Sequence, residues 1–217
     1  MTSYAELARE IDRGTRPELL RGWVLEVLGD VADGRRPLRA VRHPLGFTCL
    51  PVERDGPDGI CVHAWPAEPP PVRPTTSAVH SHSWDLLSHV LHGSVRNELI
   101  DVTDAPADPS WRVYEVHSLG EVDEVAATDR LVTAMTATVE THTTGASYAL
   151  RAGGFHTSEV TPGAPAVTVA LGRTTPGACD LSLGAVDGRS HRVRRDRCDA
   201  AETARMARQI ARLVARG

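Results

Sequence analysis

The spacing of hydrophobic and polar positions changes character twice along this chain. Near the start, apolar residues recur at helical spacing. Leu19, Leu20, Trp23, Val24, Val27 and Leu28 form one face of a helix predicted over 17–32, and a shorter helix is predicted over 3–13. Ser3 and Pro17 supply start signals, and Gly34 with Pro37 closes the region. The texture then becomes short β-type runs broken by Gly, Pro and Asp. These runs are 46–52, 59–65, 77–82, 86–102, 111–116, 130–142, 146–151, 166–171 and 180–186. Such close spacing predicts an antiparallel sandwich or barrel. Helical spacing returns over 199–217, where Ala201, Met206, Ile210 and Val214 form a stripe among arginines, as in a helix packed on the barrel. The predicted organisation is an N-terminal helical segment over 1–36, a β domain over 37–190 and a C-terminal helix within 191–217. The Pro-rich stretch 67–74 reads as a stiff loop rather than a linker.

Composition narrows the function classes. A 217-residue chain that is 41% hydrophobic suits one globular domain. A net charge of −4 without a basic stripe argues against nucleic acid as a partner. All 24 basic residues are arginine, which excludes a lysine Schiff base and a Walker-type lysine. No apolar run has the length of a membrane span, and the N-terminal residues lack a signal-type hydrophobic core. The expectation is a cytoplasmic protein whose cysteines, at 49, 61, 179 and 198, stay reduced; none has CxxC spacing.

The candidate chemistry begins at His80-Ser81-His82. On a strand, alternation puts both imidazoles on one face. A third imidazole from a neighbouring strand completes a three-nitrogen metal face with open positions, and His156 is the candidate. Trp84 is positioned to wall such a pocket, and Asp85 to accept the second N–H of a ligating imidazole. Ser88 shares the inward phase of Leu86, and Tyr148 offers a phenol to a bound anion or to oxygen. Arg96 and Arg151 are candidate clamps for a substrate carboxylate.

These positions resemble the cupin superfamily. His80, His82 and Gly93 fit its first motif, G-x5-H-x-H-x(3,4)-E-x6-G, with Leu86 in the Glu place and Pro74 in the leading Gly place. Gly145, Gly153 and His156 fit the second, G-x5-P-x-G-x2-H-x3-N, with Arg151 and Val160 in the Pro and Asn places. The resemblance implies an all-β cupin, a jelly-roll-like antiparallel barrel or sandwich, with helices at both ends. It also implies a metal held by His80, His82 and His156 alone, since Leu86 cannot ligate.

A three-His site is what thiol dioxygenases of the cysteine dioxygenase type use, with iron(II). The stretch 156–169 (HTSEV and, further on, PAVTV) is similar to their H-x-x-E-N and P-A-V-S-L runs, and the likeness covers roughly 44–175. Their Ser-x-His-x-Tyr run falls on Thr168, Ala170 and Gly172, so its His and Tyr are missing. Their carboxylate-binding Arg has Thr48 near its place and Arg54 on the adjoining turn. The expected function is a three-His, non-haem iron(II) oxygenase or dioxygenase acting on a small polar metabolite with O2, as a monomer or homodimer. Zn, Mn, Ni or Cu also suit three imidazoles. The alternatives are a non-redox metal-dependent isomerase, lyase or hydrolase, and a non-catalytic ligand-binding cupin.

Overall fold

The computed structural model describes residues 3–14, 17–68 and 74–216, so most of the expected Pro-rich loop lies outside the described residues. Helix α1 (Tyr4–Arg13) opens on a capping box between Ser3 and Glu6 and ends at Gly14 in the left-handed conformation. Helix α2 (Pro17–Ala32) follows, with Pro at its first turn. The C-terminal helix α3 (Ala200–Arg216) is capped by Asp199, whose Oδ1 accepts from the Glu202 N–H at 2.7 Å.

Among the described residues, fourteen strands lie between the helices: β1 (Val41–Arg42), β2 (Thr48–Asp55), β3 (Asp58–Trp65), β4 (His80–Ser81), β5 (Trp84–His92), β6 (Ser94–Asp104), β7 (Trp111–Leu119), β8 (Val122–Thr143), β9 (Ser147–Leu150), β10 (Phe155–Glu159), β11 (Ala166–Thr174), β12 (Asp180–Gly184), β13 (His191–Arg194) and β14 (Asp196–Arg197). They form two seven-stranded sheets. The first has the order β14-β1-β2-β3-β11-β5-β9, and the second β13-β8-β6-β10-β4-β12-β7, with β7 returning to pair β8. Every pairing is antiparallel. From β8 to β12 the chain changes sheet at each successive strand. That alternation is the winding of a jelly roll, or double-stranded β-helix, and the all-β class expected from the sequence is the observed one.

Three details differ from the sequence reading. The run 86–102 is two strands in different sheets, broken at Gly93, which has φ +76°. A Cβ there would lie 2.3 Å from the Pro165 carbonyl oxygen, so only glycine fits the crossing. Ala201 is exposed, and the buried stripe of α3 is Thr203, Ala207, Ile210 and Val214, the true i, i+4, i+7, i+11 set. Residues 191–197 join the sheets as β13 and β14 before α3 begins.

All three helices cover the outer face of the first sheet. Their buried residues share one core with Leu50, Ile60, Val62, Ala64, Leu91, Val167, Val169 and Leu171. Strand alternation turns the intervening residues of those strands toward the second sheet. Trp65, Leu86, Val90, Ala166 and Ala170 pack there with Val95, Tyr148 and Leu150 in an inner core. The space between the sheets is the chamber that holds the candidate chemistry.

Candidate metal centre

β4 and β10 place His80 directly opposite His156 in an antiparallel pair. His82 follows one residue after β4 and returns to the same side, as the His-x-His spacing requires. The ring centroids are 4.3 Å apart for His80–His156, 4.8 Å for His80–His82 and 5.0 Å for His82–His156. One ring nitrogen from each lies within 4.8 Å of the other two, so the three imidazoles converge.

Backbone groups set the orientation of two rings. His80 Nδ1 lies 2.9 Å from the Ala78 carbonyl oxygen, and His156 Nδ1 lies 3.0 Å from that of Gly154. A carbonyl only accepts, so each Nδ1 carries the proton and each Nε2 keeps its lone pair. The same contacts stiffen the rings, as outer partners do in metal sites. Two further backbone contacts fix the surrounding turn. Gly153 N–H donates to the His82 carbonyl at 2.8 Å, tying the two His-bearing segments together, and Ser83 N–H donates to Asp180 Oδ1 at 2.6 Å.

Electrostatics favour neutral rings. Burial is the largest influence on His80 and pushes its pKa down to about 3, with His156 adding repulsion. Burial also takes His82 well below its usual range and lowers His156. Neutral imidazoles, with Nε2 lone pairs free on His80 and His156 and no carboxylate in the group, are a donor set suited to a divalent transition-metal ion. A cavity of about 150 Å³ opens beside them, lined by His43, His80, His82, Thr76, Asp180 and Ser182 among others. A larger cleft, about 610 Å³, lies between α1 and α2 and contains none of the converging imidazoles.

The other predicted residues separate into two sets. Trp84 stacks on His82 with ring centroids 4.2 Å apart. Its indole also lies over Gly172, where an added Cβ would come within 2.7 Å of the ring. Leu86 points inward and is buried. Ser88 and Tyr148 face each other across β5 and β9. Burial raises the Tyr148 phenol. Ser88 Oγ, Asn97 Nδ2 and Thr168 Oγ1 are buried with hydrogen-bonding capacity unfilled.

Asp85, Arg96 and Arg151 lie away from the imidazoles. Asp85 alternates with Trp84 and Leu86 and points to the other face; its Oδ1 accepts from the Ala152 N–H at 2.9 Å. Backbone carbonyls do the orienting expected of it. Arg151 is 89% exposed, 3.8 Å from Asp85. Arg96 is bound to Glu98, with Glu159 3.9 Å away across the strand pair.

Several chamber residues carry no motif. His43 stacks on Phe47 at 4.4 Å, and Phe47 lies tilted against His63 at 4.7 Å. His43 lies in a loop, and its pKa falls to about 4 through burial and then through His63. Cys49 and Cys61 face the same interior, and strand phase along 46–52 and 59–65 was the available signal for them.

No protein-family model matches the chain, and no curated protein compared with it is similar. Solved structures with some likeness include a hydroquinone 1,2-dioxygenase from Sphingomonas sp. TTNP3 with 4-hydroxybenzoate bound (14% identity, 59% of this chain and 71% of that one, TM-score 0.36). Others are an uncharacterised double-stranded β-helix protein from Klebsiella pneumoniae (11%, 64% and 84%, 0.32) and procruciferin, an 11S globulin from Brassica napus (13%, 73% and 36%, 0.33).

Proposed function

We propose that this protein is a metal-dependent oxygenase that holds iron(II) on His80, His82 and His156 and acts with O2 on a small polar metabolite. The observation that carries the reading is the convergence of three neutral imidazoles with no carboxylate among them. Bound there, iron(II) supplies a Lewis acid and a source of electrons for O2 chemistry, with coordination positions left for an anionic or thiol substrate.

The chain's own residues do the rest. The Ala78 and Gly154 carbonyls hold the ligand rings in one tautomer. Trp84 and Leu86 exclude water from one side of the centre. Ser88, Asn97 and Thr168 offer unfilled hydrogen-bonding capacity in the chamber, and Tyr148 keeps its phenolic proton because burial raises its pKa. Thr76, Asp180 and Ser182, which line the cavity beside the imidazoles, are suited to orienting the polar end of a substrate. A cavity of about 150 Å³ is small beside the roughly 300–1,000 Å³ of sites for drug-sized ligands and favours a substrate of few heavy atoms.

The test is anaerobic iron(II) loading followed by O2 uptake over a metabolite panel that includes L-cysteine and 3-mercaptopropionate. The expected result is iron-dependent uptake with one compound class, abolished in His80→Ala and His156→Ala, which also lose the metal. Full metal content in both variants would overturn the site, and loaded protein that consumes no O2 with any panel member would overturn the oxygenase reading.

A further inference from the structure

A second group of donors sits on β2 and β3. Cys49 lies opposite His63, and Pro51 opposite Cys61, in their antiparallel register. Leu50, Ile60 and Val62 alternate with these residues and pack under the helices, so both thiols and the imidazole project into the chamber. Their two sulfurs and one ring nitrogen lie within 4.8 Å of one another. His63 is packed between Phe47 at 4.7 Å and Trp65 at 6.3 Å, which limits where its ring can turn.

We propose that Cys49, Cys61 and His63 form a second metal site, for a thiophilic divalent cation of the zinc type, independent of the three-imidazole centre and of its oxygenase reading.

Geometry favours a bridging ion over a disulfide. Cys49 and Cys61 are diagonal neighbours rather than a directly opposed pair, and diagonal positions on adjacent strands are about 7–8 Å apart, beyond the usual disulfide span. A tetrahedral ion with bonds of about 2.3 Å to sulfur and 2.0 Å to nitrogen needs donors about 3.5–3.8 Å apart, a small contraction of the present group. One of the two thiols is prepared for deprotonation: hydrogen bonding from Cys49 and from His63 outweighs burial and draws the Cys61 thiol well below its usual range. The hydrogen bond to Cys61 and burial push the Cys49 thiol well up, so its proton leaves only when the ion binds. Two thiolates neutralise a dication, and a neutral imidazole supplies the third bond. Binding releases the thiol protons to solvent and leaves the fourth position to water or a small ligand. Among the described residues the remaining donor group, Glu115, His117 and Cys179, has a single thiol, which burial raises.

The experiment uses the full-length protein, reduced and metal-free, titrated with Co(II), whose thiolate complexes absorb strongly in the near ultraviolet. The expected band is bleached by Zn(II), persists in a His80→Ala/His156→Ala protein, and disappears in Cys49→Ser/Cys61→Ser. Zn(II) is also expected to slow alkylation of Cys49 and Cys61 in the unmutated chain by at least about tenfold, read by peptide mass spectrometry. This second readout needs no variant to fold. Absence of the band with all thiols reduced, survival of the band in Cys49→Ser/Cys61→Ser, or unchanged alkylation of the two cysteines with Zn(II) would each overturn the proposal.

Discussion

His80 and His156 depend on peptide carbonyls two residues upstream, which fix where each ring keeps its proton. Such local support follows from strand and turn geometry, so it accompanies the motif without leaving its own mark in the sequence. The three histidines were legible because His-x-His and the later Gly-x-x-His carry a register. His43 was not, because a loop residue has no phase to read and comes to the chamber only through its stack on Phe47. Asp85 was misplaced for a related reason: proximity in sequence to His82 suggested a partner, but alternation turns the carboxylate away.

Two predictions belong at this scale. Trp84 stacks on His82, so metal binding at the three imidazoles is expected to quench its emission. A fluorescence titration with Co(II) should show most of the change lost in Trp84→Phe. His43 concerns pH. Its folded pKa of about 4 lies below the roughly 6.5 of an unfolded histidine, so the unfolded chain takes up the proton first as pH falls. The stability linked to neutral His43 is therefore complete above about pH 6.5 and lost progressively toward pH 4. Urea midpoints measured across that window should decline less steeply in His43→Asn than in the unmutated protein.

At the scale of elements, most strands were legible from alternation and turn residues, and their partners were not. The run 86–102 reads as one continuous β segment, yet Gly93 divides it between two sheets. What decides this is a tertiary contact with Pro165, distant in sequence. β10 is five residues long and falls outside the expected runs, although it carries a ligand; the second His motif located it instead. Gly93→Ala introduces both an unfavourable positive φ and a clash with backbone, which has little freedom to retreat. The expected loss is about 2 kcal/mol or more, read as a lower denaturant midpoint with a cooperative transition.

For the molecule as a whole, alternating short runs announced an antiparallel sandwich or barrel, and nothing in their pattern said which sheet the helices would cover. The answer lies in composition by face. Ile60, Val62, Ala64, Val167, Val169 and Leu171 make one side of the first sheet continuously apolar. The helical layer and the chamber therefore lie on opposite sides of the same strands. Ile210→Ala, in the buried stripe of α3, is expected to cost about 2–4 kcal/mol in global stability. Distant sites act additively, so Co(II) affinity at the imidazoles should stay within about twofold when measured well below the melting temperature.

The shared sheet also governs how faithfully the chamber is assembled. On β3, the residues that lie under the helices are interleaved one for one with Cys61, His63 and Trp65. A slip of one position would drive a thiol and an imidazole into the helical core and expose aliphatic side chains to the chamber. The helices reject that arrangement because it buries polar groups against them without partners. They thus act as a proofreader of strand register: no helical residue is among the donor groups, yet the helices select the one alignment in which the donors face inward.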